Sequence, residues 1–308
     1  MSYKNSIKLL TTNFGLVWKQ LLYMLIIVLC SFGLTCAFGS PVVNLLKQEG
    51  IVQELLSIFD AIYTSPKDIL SAISTLWTHF YNVISTNFSS LWFNFVGIFF
   101  TGYFAFDILK SISMYNLSSI MYLKNTSNVE IGYTKNLIST LGQSIRYAFV
   151  KFVIDLPFTA VKVLAISLFL TTVNSLFTIL IGSFLLATII ILISSAQISV
   201  FSGMATKMIE TNGNISAFKA FGKGAVVSLK KFNRIFSNAI IVILSIIFVN
   251  FLLGLFTLGA GLLISVPASM LFIAIFSQIA YFGAKGERYY LTSTTIVNPL
   301  NDDGTSLK

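Results

Sequence analysis

Residues 163–206, VLAISLFLTTVNSLFTILIGSFLLATIIILISSAQISVFSGMAT, contain no Asp, Glu, Lys, Arg or His. The stretch is 44 residues long. A helix needs about 20 apolar residues to cross the ~30 Å hydrocarbon core of a bilayer. The stretch therefore predicts two crossings, joined at the polar TVNS of residues 172–175.

The rest of the chain agrees with this reading. Of 308 residues, 56% are hydrophobic and 10% are charged, against about 25% charged in soluble domains. Apolar runs predict six membrane helices, near residues 20–39, 91–110, 153–172, 176–200, 236–254 and 260–282. The fold class expected is an all-α integral membrane protein, one polytopic domain over residues 1–308, with a helical loop at 40–90. The N-terminal run of about 20 apolar residues is longer than the 7–15 of a signal-peptide core, so it reads as an uncleaved span.

The net charge of +9 could indicate nucleic acid, but membrane proteins collect Lys and Arg on the cytoplasmic side. With six spans and both termini cytoplasmic, every basic residue falls inside except Lys47 and Lys67, which share the 40–90 loop with Glu49, Glu54, Asp60 and Asp68. The charge is thus read as a device of orientation, and no nucleic-acid partner is expected.

The most basic segment is AFKAFGKGAVVSLKKFNRIF, residues 217–236. Wound at about 100° per residue, it gathers Phe218, Phe221, Ala225, Leu229, Phe232 and Phe236 on one face. Lys219, Lys223, Lys230, Lys231 and Arg234 gather on the other. That pattern predicts a helix in the headgroup plane, its basic face on anionic lipid. Gly222-Lys223-Gly224 lacks the first glycine of a phosphate loop and the Ser or Thr after its Lys, so changing Gly222 or Gly224 to Ala is expected to matter little. KNLISTLGQSIRYAFVKF (135–152) and SIKLLTTNFGLVWKQ (6–20) read as similar lead-ins, which suggests three units of elbow helix plus hairpin.

In the 40–90 loop, PVVNLLKQEGIVQELLSIFDAIY (41–63) and SPKDILSAISTLWTHFYNVISTNF (65–88) show helical apolar spacing. They predict two amphipathic helices on the outer surface, a surface for a protein partner, with Ser65 as N-cap. His79, the single histidine, reads as a solvated or interfacial side chain, since one His makes a poor metal site. Cys30 and Cys36 read as small core residues.

Asp107 with Lys110 and Asp155 with Lys162 read as ion pairs at the membrane boundary, where hydration lowers the cost of a charge. Asn174, Gln197, Ser245, Asn250 and Gln278 read as hydrogen-bonding groups between spans. No metalloprotease, hydrolase-elbow or Walker pattern is present. The expectation is a non-enzymatic protein without catalytic, cofactor-binding or metal residues and without cofactors. It would scaffold or regulate a membrane partner, or organise lipid. The rival reading is a small transporter or permease subunit, which predicts Asn174, Gln197, Asn250 and Gln278 around one wet cavity. Frequent Ile, Asn, Lys and Ser with few Pro suggest an AT-rich bacterial gene, hence a multi-pass protein of the bacterial plasma membrane.

Overall fold

The computed structural model describes residues 2–64, 69–172, 176–299 and 306–307. They are nearly all helical: α1 (Ser2–Thr12), α2 (Gly15–Gln48), α3 (Ile51–Thr64), α4 (Ile69–Ile98), a π-helical segment (Phe99–Phe104), α5 (Ala105–Ser127), α6 (Tyr133–Ser139), α7 (Leu141–Thr172), α8 (Leu176–Phe201), α9 (Met204–Glu210), α10 (Ala217–Lys230), α11 (Phe232–Phe256) and α12 (Leu262–Lys285). Ser65, Pro66 and Asp68 of the expected cap, Lys67, and Val173–Ser175 of the expected turn lie outside the described residues.

Six helical stretches are long and apolar enough to cross a membrane. They match the expected spans in number but run further. α2 has 34 residues, about 51 Å at ~1.5 Å per residue, and continues through Pro41. The second candidate, Ser71–Ser127, is 57 residues long. The second outer-loop helix is therefore not a separate surface element, because α4 runs without interruption into the expected span. Pro157 and Pro267 also lie inside unbroken helices.

Helix ends fall where the backbone turns left-handed. Asn128 (φ 52°) follows α5, Asn212 (φ 49°) and Gly213 (φ 73°) follow α9, and Gly286 (φ 78°) caps α12 by donating its N–H to Phe282 O. Short helices α1, α6 and α10 each pass within a few residues into a long one, and α3 likewise precedes α4.

The chain divides into two compact units. The first comprises Met1–Ile27, Asp107–Asp155 and Ile191–Lys308. Its centre is α12, where Leu271, Ile275, Phe276, Ile279, Tyr281 and Phe282 are buried. α1, α10 and α11 pack around it. Ile235, Ala239 and Val242 of α11 meet Phe272, Phe276 and Ala280. α1 also packs on the core, with Leu9 and Ser6 buried and Tyr3 edge-on to Phe272 at 6.1 Å.

The segment after α12 forms strands. Tyr289–Tyr290 pairs antiparallel with Ile296–Val297, which pairs with Ser306–Leu307. Tyr289, Leu291 and Val297 are buried.

The second unit comprises Val28–Phe106 and Leu156–Ile190. Ser31, Val42, Ile51 and Val83 are its buried members among the described residues. α2 meets α4 and the π-helical segment at small residues. Thr35 Oγ1 lies 3.1 Å from Thr101 Oγ1, and Asn94 Nδ2 donates to Phe38 O at 3.1 Å. Cys30 and Cys36 are exposed, unbonded thiols, which corrects their expected place in a core. On a helix apolar all round, hydropathy does not say which side packs.

Candidate functional site

Asp107 and Lys110 of α5, Lys151 and Asp155 of α7, and Gln197 of α8 form one ionic cluster. Gln197 Nε2 donates to Asp155 Oδ1 at 2.6 Å, and Lys151 Nζ lies 3.9 Å from Asp155 Oδ2. Lys151 also sits over the Phe201 ring, 5.7 Å from its centroid. Lys110 is within electrostatic reach of Asp107, Asp155 and Lys151. Asp107 Oδ2 is enclosed without a hydrogen bond. The four charges cancel formally, so mutual attraction offsets the cost of desolvating each one.

Asp155 has an ion pair with Lys151, its neighbour one helical turn earlier. Asp107 acts on Lys110 as expected, and both belong to the same cluster as Asp155.

The basic segment forms α10 from Ser216, whose side chain accepts from Lys219 N, to Lys230. Ala217, Ala220, Gly224 and Ser228 make a buried stripe of small residues. Ser228 Oγ lies 2.7 Å from Ser202 Oγ. A Cβ on Gly224 would come within 2.5 Å of the Gly203 backbone. The helix therefore has three faces. The small stripe packs on the protein, Phe218 and Leu229 are exposed on one flank, and Lys219, Lys223 and Lys230 are exposed on the other. Lys231 and Arg234 are exposed just beyond it.

The two expected faces are thus the flanks of a third that hydropathy hides, because Ala, Gly and Ser carry almost no hydrophobic signal. This corrects the expectation for glycine. Gly222 has open space around its Cβ position, but Gly224 touches backbone.

Beside α10, Glu210 of α9 accepts from Lys207 Nζ at 2.8 Å and from Lys285 Nζ of α12 at 3.2 Å. Lys285 also pairs with Glu287. A groove of about 360 Å³ opens between Lys207, Lys223 and Lys285, over Tyr281, with Val226 and Val227 on its wall.

The deeper polar residues go to separate partners. Gln197 bonds Asp155, Asn250 Nδ2 bonds Ser269 Oγ at 3.4 Å, and Gln278 Oε1 accepts from Asn125 Nδ2 at 3.0 Å. Ser245 Oγ lies 2.8 Å from Tyr3 Oη. Asn174 lies outside the described residues. In the 40–90 segment, His79 Nδ1 lies 2.9 Å from Glu54 Oε1, so the histidine is partnered across α3 and α4.

A network absent from the sequence reading lies on α5. Buried Gln20 donates to Ser113 Oγ at 2.9 Å and accepts from Tyr133 Oη at 2.8 Å. Asn136 Nδ2 donates to Asn116 Oδ1 at 2.8 Å. Burial pushes the Tyr133 phenol well above its usual range, so it is a neutral donor. The signal available was the uncharged run between Lys110 and Lys124, too long and too apolar for an ordinary polar loop.

These features define a helical chain with six candidate membrane spans, an ionic cluster and a basic groove. No family model matches it, and no curated protein or solved structure is similar to it by sequence or fold comparison.

Proposed function

We propose that this is a non-enzymatic, multi-pass protein of the bacterial plasma membrane, with both termini cytoplasmic, that organises anionic lipid and scaffolds a membrane partner. The observation carrying the reading is the dispersal of deep polar residues into separate pairs, Gln197 with Asp155, Asn250 with Ser269 and Gln278 with Asn125. A transport path would require such groups to line one wet route. Large exposed apolar side chains such as Phe184, Phe251 and Leu168 call for a lipid or protein covering. The lysines of α10 sit where the positive-inside pattern puts anionic headgroups, its exposed Phe218 and Leu229 are suited to the acyl boundary, and the α3–α4 hairpin is the surface offered to a partner.

Two measurements test this. In a variant lacking Cys30 and Cys36, an impermeant thiol reagent on intact cells should label a cysteine at Ser57 and spare one at Ser127 or Asn214. Labelling of all three positions would break the six-span orientation. Proteoliposomes bearing the protein should show no proton- or sodium-driven flux. Uptake lost in Asp155→Asn would replace this reading with that of a small transporter or permease subunit.

A further inference from the structure

We propose that the groove between α9, α10 and the end of α12 binds the phosphate of one anionic phospholipid molecule. The proposal rests on the lipid reading above and makes it specific. Three lysines line the groove, Lys207, Lys223 and Lys285. Glu210 holds Lys207 and Lys285 in place through bonds of 2.8 and 3.2 Å. Lys223 has no ion-pair partner among the described residues. Counting Glu287, the charge is three cations to two anions, so the groove keeps a net positive charge for an incoming anion.

Tyr281 supplies the second, independent observation. It is fully buried, lines the groove, and its hydroxyl has no hydrogen-bond partner. An enclosed hydroxyl without a partner is rare in folded proteins, and a phosphate oxygen would accept its proton. Lys285 Nζ lies over the Tyr281 ring, 5.8 Å from its centroid, so an ammonium adjoins the same side chain.

The walls indicate the source of the phosphate. Val226, Val227 and the Tyr281 ring are apolar, which suits the glycerol and first methylenes of a lipid better than a free, fully hydrated ion. Phe218 and Leu229 of the same helix are exposed.

The experiment uses the full chain in mild detergent. Native mass spectrometry counts retained phosphatidylglycerol against phosphatidylcholine, and thermal unfolding confirms that each variant is folded. One phosphatidylglycerol should be retained in preference to phosphatidylcholine. Lys223→Gln and Tyr281→Phe should each lower its affinity about tenfold, the usual scale for losing one hydrogen bond to a charged group.

A separate variant, Lys219→Gln/Lys230→Gln/Lys231→Gln, reports on the general surface attraction through binding to vesicles containing phosphatidylglycerol. If it weakens vesicle binding while Lys223→Gln and Tyr281→Phe retain lipid as wild type does, the groove is overturned and the broader lipid reading stands. If neither set has an effect, both fail. Equal retention of phosphatidylcholine overturns the groove as an anion site. Displacement of the lipid by millimolar glycerol phosphate or inorganic phosphate overturns the lipid assignment in favour of a soluble phosphate compound.

Discussion

The two compact units hold themselves together by different means. In the first, α12 is surrounded, and bulky side chains such as Phe276 and Met204 are fully buried beside a bonded polar network at Gln20, Asn116 and Asn125. In the second, most side chains face outward and contact is made by close approach of small residues, as at Thr35 and Thr101. Between membrane helices packing and hydrogen bonds, not the hydrophobic effect, must hold the structure, and the first unit supplies both in quantity. The second has fewer such contacts, and its exposed Phe, Leu and Ile gain nothing by meeting one another in lipid. One unit carries its own core, and the other depends on its surroundings for one.

Matched glycines offer the sharpest way to break this contrast. At Gly224 an added Cβ meets the backbone of Gly203, which cannot move without shifting a helix. Gly224→Ala is expected to destabilise by about 3 kcal/mol, at the upper end for overpacking, with a large drop in midpoint on thermal unfolding. Gly222→Ala, in open space, should be neutral or stabilising by up to about 1 kcal/mol.

A smaller loss, about 2 kcal/mol, should follow Gln20→Leu, which keeps volume but removes the acceptor of the buried Tyr133 hydroxyl and the donor to Ser113 Oγ. If it unfolds no more readily than wild type, the polar network is not part of what holds the first unit together.

Gly97 in the second unit also appears overfilled, since its Cβ would lie 2.2 Å from the Phe38 ring. That neighbour is a side chain whose whole ring must change rotamer and leave its contact with Phe93, so Gly97→Ala should cost about 1–2 kcal/mol, less than a clash with backbone. Equal losses at Gly97 and Gly224 would erase the distinction between the units.

Asp155→Asn is expected to cost about as little. An Asn oxygen can still accept from Gln197, and the Lys151 contact is long at 3.9 Å. Lys110 and Lys151 would then face Asp107 alone, so a loss of about 1 kcal/mol is expected, below that of breaking a tight buried pair, with folded yield unchanged by size-exclusion chromatography.

The contrast also explains what could be read in advance. Apolar runs such as residues 163–206 carry a length signal that a bilayer imposes, and all six candidate spans were legible from it. The packing was not. α5 is built into the core by Ser, Asn and Tyr, whose spacing resembles that of a loop on any hydropathy scale. The stripe Ala217, Ala220, Gly224 and Ser228 is defined by smallness, and the louder Phe and Lys pattern of the same segment conceals it. The bond from Gln197 to Asp155 joins α8 to α7 across 42 positions, which charge spacing along one helix does not announce. The groove needs Lys207, Lys223, Lys285 and Tyr281 from three helices, a meeting that no local pattern announces.

The link between Asn5 and Tyr289 bears on how the molecule is made. Asn5 Nδ2 donates to the Tyr289 hydroxyl at 2.7 Å across 284 positions of chain, and Tyr3 reaches Ser245 across 242. A ribosome adding about 5–20 residues per second delivers Tyr289 roughly 15–60 s after Asn5 at that rate. For most of that interval α11 (from Phe232) and α12 (from Leu262) do not yet exist for α1 to rest against. α1 is thus made well before the helices that seat it, which leaves its buried face, with Leu9 and Ser6, open to chaperones and proteases until they emerge.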